Sequence, residues 1–469
     1  MPDSSAYDGP QGPLQHRCAS CDATRPDLLR CTGCRVVRYC SRAHQAADRA
    51  AHKSLCKRMA KLRAKLEHED RAVRHATQDF MTPANAFETH AGHFWGLLHT
   101  RGYMRARFAV ADEARLACTL DGVTEALEHF GDMLRLCRSD NMGIRDHVPA
   151  LLLRLDRDQE CYDFVKWWET VGQEDDYDWG DTDLPFLDVK DADVMEEPTF
   201  LLHRFGNLGF LVSILLLKIK MLLDIRNIKV IRKALLGRLP IELWREVESS
   251  ATRSPFSARR FVGRPYKDLA KAEDVLVQQC RDIGRAVFDA NEYFTGELLC
   301  LTDETMSYRP GAYSHGSCEQ MALVMHEAYP AWHETAGALE LLQSAHACAV
   351  RAYRVELVKE VVIDKVWDFL EVAAHDSSYL GPPHEKPSEK HAVEFRKKGL
   401  HHNLREPRGV GEEDDGDDMG DWYDDGMGGN PFECDCFDHG FHEHGSSDPL
   451  YEEYLRDVGA ISRSASTLI

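Results

Sequence analysis

"CASCDATRPDLLRCTGCRVVRYCSRAHQAADRAAHKSLC", residues 18–56, places eight thiol or imidazole side chains within 39 positions. They fall into four pairs: Cys18 with Cys21, Cys31 with Cys34, Cys40 with His44, and His52 with Cys56. A C-x2-C pair lets two thiolates from one tight turn reach one tetrahedral ion, and an i, i+4 pair does the same from one helix face. Eight ligands suffice for two closed four-coordinate sites. Closed sites are structural, so no zinc-activated water is expected. The stretch has few large apolar side chains and cannot hold itself together by burial. Two zinc ions, each worth roughly 10–16 kcal/mol apparent in comparable peptides, take the place of a core. Spacing alone leaves the pairing open. Sequential sharing gives one all-cysteine site and one with two cysteines and two histidines; interleaved sharing gives two sites of three cysteines and one histidine.

The order C-x2-C, C-x2-C, "YCS", a ligand, Gln, then H-x3-C resembles the MYND-type zinc finger. That family interleaves its ligands. The resemblance therefore implies that Cys18, Cys21, Cys40 and His44 hold one zinc, and Cys31, Cys34, His52 and Cys56 the other. His44 stands where many members have Cys, and imidazole is a competent replacement. The resemblance also implies a peptide-binding corner at Gln45 and Arg49. Many members have Trp at the second position and use the pair to line a groove for proline-rich peptides. A guanidinium there weakens that ligand and suits an acidic peptide better. The likeness covers about 40 of the 469 residues.

Outward from the finger, "CKRMAKLRAKLEHEDRAVRHA" spaces Met59, Leu62 and Leu66 helically among Lys57, Arg58, Lys61, Arg63 and Lys65. This is a basic helix, solvated and salt-bridged or in contact with an acidic partner. The whole chain is acidic, with 57 Lys and Arg against 78 Asp and Glu, a net charge of −21. Such a chain is a poor general phosphate binder. "MPDSSAYDGPQGPLQH" has no apolar core, so no secretory leader is expected. The most apolar run, Leu208–Ile225, is interrupted by Lys218 and Lys220 and reads as a buried helix, not a membrane span. The expected compartment is cytoplasmic or nuclear. Of fifteen cysteines, six lie in the first 56 residues, which favours metal binding over disulfides.

The body reads as helical. Met104, Phe108 and Ala111, then Val123, Leu127, Phe130 and Leu134, recur at threes and fours. Pro149 is expected to kink or offset the helix through Leu151, Leu152 and Leu155. "TEALEHFGDML" from Thr124 and "DQECYDFVKWW" from Asp158 lie about 35 residues apart, a spacing that suggests a tetratricopeptide-like stack or, without repetition, a helical bundle. "DDYDWGDTDLPFLDVKDADVMEEP" is acidic with no steady period and reads as an ordered surface loop or linker, and "TRSPFSARRFVGRPYK" as a punctuated connection. The expected fold is mainly α: a small two-zinc finger, a helical body and an acidic, disordered C-terminal tail. The expected organisation is a disordered N-terminus over 1–15, the finger over 16–57, and a basic helix and connection over 58–90. A tetratricopeptide-like region follows over 91–172, then an acidic loop over 173–198, a second helical region over 199–378, and a low-complexity tail over 379–469. The tail's Cys434, Cys436, His439, His442 and His444 form no clean ligand pairs, so adventitious metal contact is expected there.

These readings converge on a zinc-binding adaptor that contacts other proteins through finger and body, without catalysis, membrane or small-molecule substrate. Members of the resembled family act in transcriptional and chromatin-linked assemblies, so the resemblance implies such a setting. One rival is a SET-type lysine methyltransferase with an inserted finger. Only "SHGSCEQMAL", 314–323, echoes its motifs, without the Asn-His pair or a Gly-rich cofactor loop. G-x-S-x-G, G-x4-G-K-[ST] and H-E-x-x-H are also missing. The other rival is a nucleic-acid binder using the basic helix, which the net charge disfavours.

Overall fold

The structure is a computed structural model. It describes residues 7, 9–10, 12–203, 206–235, 240–353 and 363–375. The acidic tail and its Cys434–His444 cluster lie outside the described residues.

The finger is built on two knuckles and a helical corner. Strands β1 (Leu29–Arg30) and β2 (Arg38–Tyr39) pair antiparallel, with Leu29 opposite Tyr39. Helix α1 (Arg42–Ala47) starts at Ser41, whose hydroxyl accepts the His44 N–H at 3.3 Å. Asp48 ends α1 and starts α2 (Arg49–Arg74). Helix α2 runs straight through the expected boundary at residue 57. Its first turns carry His52 and Cys56, and its later turns are the basic helix. That helix is therefore one rod shared by finger and body. Met59 and Val73 are buried on it, and Leu62 and Leu66 are half-buried against the core.

The body begins with α3 (Ala86–Thr89), α4 (Arg101–Leu116) and α5 (Leu120–Leu136), and α2 packs on α4. Thr119 caps α5 by accepting the Gly122 N–H at 3.1 Å. Val123, Ala126, Leu127, Phe130, Met133 and Leu134 form the apolar face that the spacing predicts. Helices α6 (Val148–Arg154) and α7 (Asp158–Glu169) follow. The 35-residue echo falls on α5 and α7, each the second helix of a packed pair. The pairs are unequal, since α4 has 16 residues and α6 only seven. Pro149 does not kink a helix; it sits in the first turn of α6, where a missing N–H costs nothing.

The rest is wound about α8 (Leu208–Leu235). Helices α9 (Ile241–Ala251), α10 (Pro255–Phe261), α11 (Tyr266–Ala290), α14 (Cys318–Glu334) and α15 (Ala338–Tyr353) all pack on it. Helices α12 (Glu292–Leu299) and α13 (Asp303–Ser307) precede α14, and α16 (Leu370–His375) closes the described body. The punctuated connection of 252–267 thus contains a helix, α10, started by Pro255. "SHGSCEQMAL" runs into α14, capped by Ser317. Among the described residues the single sheet is β1–β2.

No described helix is long and apolar enough to cross a membrane. From Leu208 to Arg226 helix α8 is buried on nearly every side, whereas Asn227, Val230 and Lys233 further along are exposed. Two of its lysines do not reach solvent: Lys218 and Lys220 are 0% and 2% exposed. Lys220 Nζ donates to Asp158 at 2.6 Å, to Asp156 at 2.9 Å and to the Leu153 carbonyl at 3.2 Å. Lys218 Nζ donates to the Val194 carbonyl and lies 5.4 Å from the Tyr162 ring centroid; Asp193 and Glu196 act on it only at longer range. Burial pushes the Lys218 ammonium down to about 8. A lysine lowered on folding binds fewer protons folded than unfolded, so its penalty is complete below pH 8 and fades as pH rises towards the unfolded value. The stability of the wild type relative to Lys218→Met should therefore rise between pH 8 and 10.5, by up to about 3 kcal/mol. Denaturant titrations of both proteins across that range check it; a constant difference would refute it.

Of the two readings of the acidic stretch of 173–198, the structure shows the ordered surface loop and not the linker. Tyr177, Trp179 and Phe186 pack on Trp167 and Trp168, and the Asp163 carboxylate accepts the N–H groups of Asp191 and Ala192. The N-terminus over 1–15, expected to be disordered, is packed in its described part. Leu14 is buried, the Tyr7 ring lies edge-on to Tyr329 and His333, and the Pro10 carbonyl sits 3.2 Å from His333 Nδ1.

Candidate metal centre

Each C-x2-C turn folds into a knuckle because the residue after it accepts a left-handed backbone. Asp22 has φ 58° and Arg35 has φ 63°. Their N–H groups return to the carbonyls of Cys18 and Cys31 at 2.8 and 2.9 Å. The position between Cys31 and Cys34 has to be small. A Cβ on Gly33 would lie 2.6 Å from the Cys56 sulfur.

The eight side chains gather into two clusters, and the pairing is interleaved. Cys18, Cys21, Cys40 and His44 form one; Cys31, Cys34, His52 and Cys56 form the other. Within each, the ligand atoms all lie within 4.8 Å of one another. A tetrahedral zinc with bonds of about 2.3 Å to sulfur and about 2.1 Å to nitrogen needs edges of about 3.8 Å between sulfurs and about 3.6 Å from sulfur to nitrogen. Cys21 and Cys40 sulfurs are 3.6 Å apart, and those of Cys31 and Cys56 are 3.9 Å apart. His44 Nδ1 lies 3.5 Å from Cys18, and His52 Nε2 lies 3.4 and 3.6 Å from Cys31 and Cys34. These five distances match edges of zinc tetrahedra, and the remaining ligand pairs lie within 4.8 Å. The donor set of three thiolates and one imidazole per site fits zinc, with four protein ligands available to each ion.

The surroundings tune the ligands. Burial pushes the Cys18 thiol up, but the N–H groups of Cys40, Ser20 and Cys21, with His44, outweigh it and bring the thiol to about 6. Cys31 is likewise brought to about 6 by the N–H groups of Cys34 and Gly33 and by His52. Burial, with neighbouring sulfurs, raises Cys34 and Cys40 to about 11. The Tyr39 ring stands edge-on to His52 at 5.8 Å and anchors its hydroxyl on Asp48 at 2.7 Å. Gln45 is half-buried in α1 and Arg49 is exposed at the start of α2.

The finger is docked, not tethered. Asp121, in the first turn of α5, is buried beneath it. Its carboxylate accepts from Arg30 at 2.5 Å and from Arg38 at 2.6 and 2.9 Å, and His16 Nδ1 lies 3.7 Å away. Burial alone would raise the Asp121 carboxyl; Arg38 and Arg30 outweigh it and hold it below the ordinary range. Thr119 Oγ1 donates to the Val36 carbonyl at 2.6 Å. Arg63 on α2 bridges the Cys34 carbonyl at 2.6 Å and Glu125 on α5 at 2.9 Å. Spacing cannot reveal these partners, since Arg38 and Asp121 are 83 residues apart. Asp121→Ala should cost about 2 kcal/mol through the lost charge-assisted bonds and free the finger to protease while both zinc ions stay bound. Denaturant unfolding, partial proteolysis and metal content check it; a finger equally protected in the variant would contradict it.

The family model of the MYND finger matches residues 18–56. No curated protein and no solved structure matches the chain. The matched segment begins and ends on zinc ligands, Cys18 and Cys56.

Proposed function

Because residues 18–56 are a MYND finger, a zinc-held module for contacts between proteins, we propose that the chain is a non-catalytic adaptor. In this reading the finger presents one docking site and the helical body, tetratricopeptide-like in its first part, presents another. The setting is a transcriptional or chromatin-linked assembly in nucleus or cytoplasm. The observation that carries the reading is the fixed finger. Asp121, Thr119 and Arg63 hold it on α5 by its knuckles and strands, while the corner between α1 and α2 keeps Gln45 half-buried and Arg49 exposed. A corner with an open guanidinium favours an acidic peptide over a proline-rich one.

Peptide binding by fluorescence anisotropy tests this. An acidic peptide should bind the zinc-loaded chain, bind at least tenfold more weakly after Gln45→Ala with Arg49→Glu, and fail to bind after chelation. Binding indifferent to chelation would end the proposal. Methyl transfer from a methyl donor to protein lysines would establish the enzymatic rival instead.

A further inference from the structure

Helix α2 carries a second feature, which shares only Arg49 with the finger's corner. Arg49, Lys53, Lys57, Lys61 and Lys65 follow one another at intervals of four, and all five are exposed. At 1.5 Å per residue the row is about 24 Å long, and each step turns only about 40° around the helix. The buried and half-buried residues Met59, Leu62, Leu66 and Val73 lie on the opposite side, against the body. The row therefore faces away from everything α2 packs on. Exposed Ala50, Ser54, Ala60 and Ala64 lie between its members and keep the surface low.

The row is electrostatically unbalanced. From Arg49 to Leu66 the sequence contains no acidic residue. Among the described residues, the ion pairs of α2 are made by Arg58, Arg63, Arg71 and Arg74, and none by the five in the row. Like charges at i, i+4 repel, and cations in the first turns oppose the helix dipole. An extended polyanion laid along the row would relieve both.

One stretch of this chain has that character. Between Glu412 and Asp425 stand nine carboxylates with Trp422 and Tyr423 and no cation. The 36 residues from 376 to 411 can span up to roughly 120 Å, against a radius of gyration of about 21 Å for a domain the size of the described body. Reach is no obstacle. We propose that the acidic segment Glu412–Asp425 docks on the lysine row of α2 and competes there with external polyanions. The segment's own structure lies outside the described residues; its charge and the chain length before it are what fit the row. The proposal does not depend on the peptide reading of the Gln45–Arg49 corner, and its test leaves both of those residues in place.

The test uses the full chain in three forms: wild type, a tail-neutralised form with the nine carboxylates changed to their amides, and that form with Lys57→Gln, Lys61→Gln and Lys65→Gln. Each must retain two zinc ions and an unchanged helical spectrum. A labelled peptide of residues 411–425 should bind the tail-neutralised chain at least tenfold more tightly than wild type, lose binding as salt rises, and lose it again in the lysine variant. Equal affinity for the first two, or undiminished binding to the third, overturns the proposal. Tighter binding of a DNA duplex than of the peptide to the tail-neutralised chain, at equal salt, also overturns it and assigns the row to nucleic acid. A second readout needs no substitution. Carbodiimide coupling of the wild-type monomer at low salt should join Lys57, Lys61 or Lys65 to the 412–425 carboxylates, and failure to find these links overturns the proposal too.

Discussion

Removing zinc should unfold the first third of α2 together with everything before it back to Cys18, while leaving the body intact. Each site contributes roughly 10–16 kcal/mol apparent where metal replaces a core, and here the two sites are interleaved along the chain. One takes Cys18, Cys21, Cys40 and His44, the other Cys31, Cys34, His52 and Cys56. Losing either ion therefore frees a segment that the other alone cannot hold. Elemental analysis should find two zinc ions per chain. Cys34→Ser and Cys18→Ser should each lower the count and expose the finger to protease, whereas the helical signal falls only slightly, because α4 onwards has its own core. Loading zinc at neutral pH should release protons, since thiols such as Cys34 and Cys40, held at about 11, must ionise to bind. A folded, protease-resistant finger in metal-free protein would refute the prediction.

Glu334→Gln should destabilise the body by about 4 kcal/mol, the cost of leaving a buried charge without its partner. Arg154 at the end of α6 and Glu334 at the end of α14 are 4% and 0% exposed, joined by three bonds of 2.7–3.1 Å. Arg253 donates to the Glu334 carbonyl and to Asp156 at 2.9 Å, and Asp156 also accepts from Lys220. This ionic knot joins the ends of α6 and α14 to α8. Replacing both partners by apolar side chains, Arg154→Met with Glu334→Leu, should cost much less than Glu334→Gln alone. Urea unfolding of the three proteins decides it; a single variant as stable as wild type would show that the pair is dispensable.

The zinc ligands were readable because coordination is local: both members of each pair sit within four residues, and the ion dictates the spacing. The interleaving came from likeness to a family and agrees with the edges measured between ligand atoms. The buried helix over 208–225 is legible from its apolar length, but the part played by Lys218 and Lys220 is not. Nothing beside them in the sequence marks Val194, Asp156 or Asp158 as their partners. The same holds for Asp121, an ordinary first-turn acid until the fold brings Arg30 and Arg38 onto it. Pro149 was misread because the helix begins one residue before it. Charge and the lack of a period leave 173–198 open between an ordered surface loop and a linker; Tyr177, Trp179 and Phe186 decide it by seating the stretch on Trp167 and Trp168.

Since a single rod serves both parts of the molecule, the finger's orientation on the body depends on the length of that rod. One residue inserted into α2 between Cys56 and Met59 would swing the whole zinc module by 100° about the rod's axis and lift it 1.5 Å. Arg30 and Arg38 would be carried off Asp121, although every ligand spacing before Cys56 stayed unchanged. The orientation of the module is thus recorded in the exact length of one helix, and an insertion or deletion there would alter where it points before it altered whether it folds.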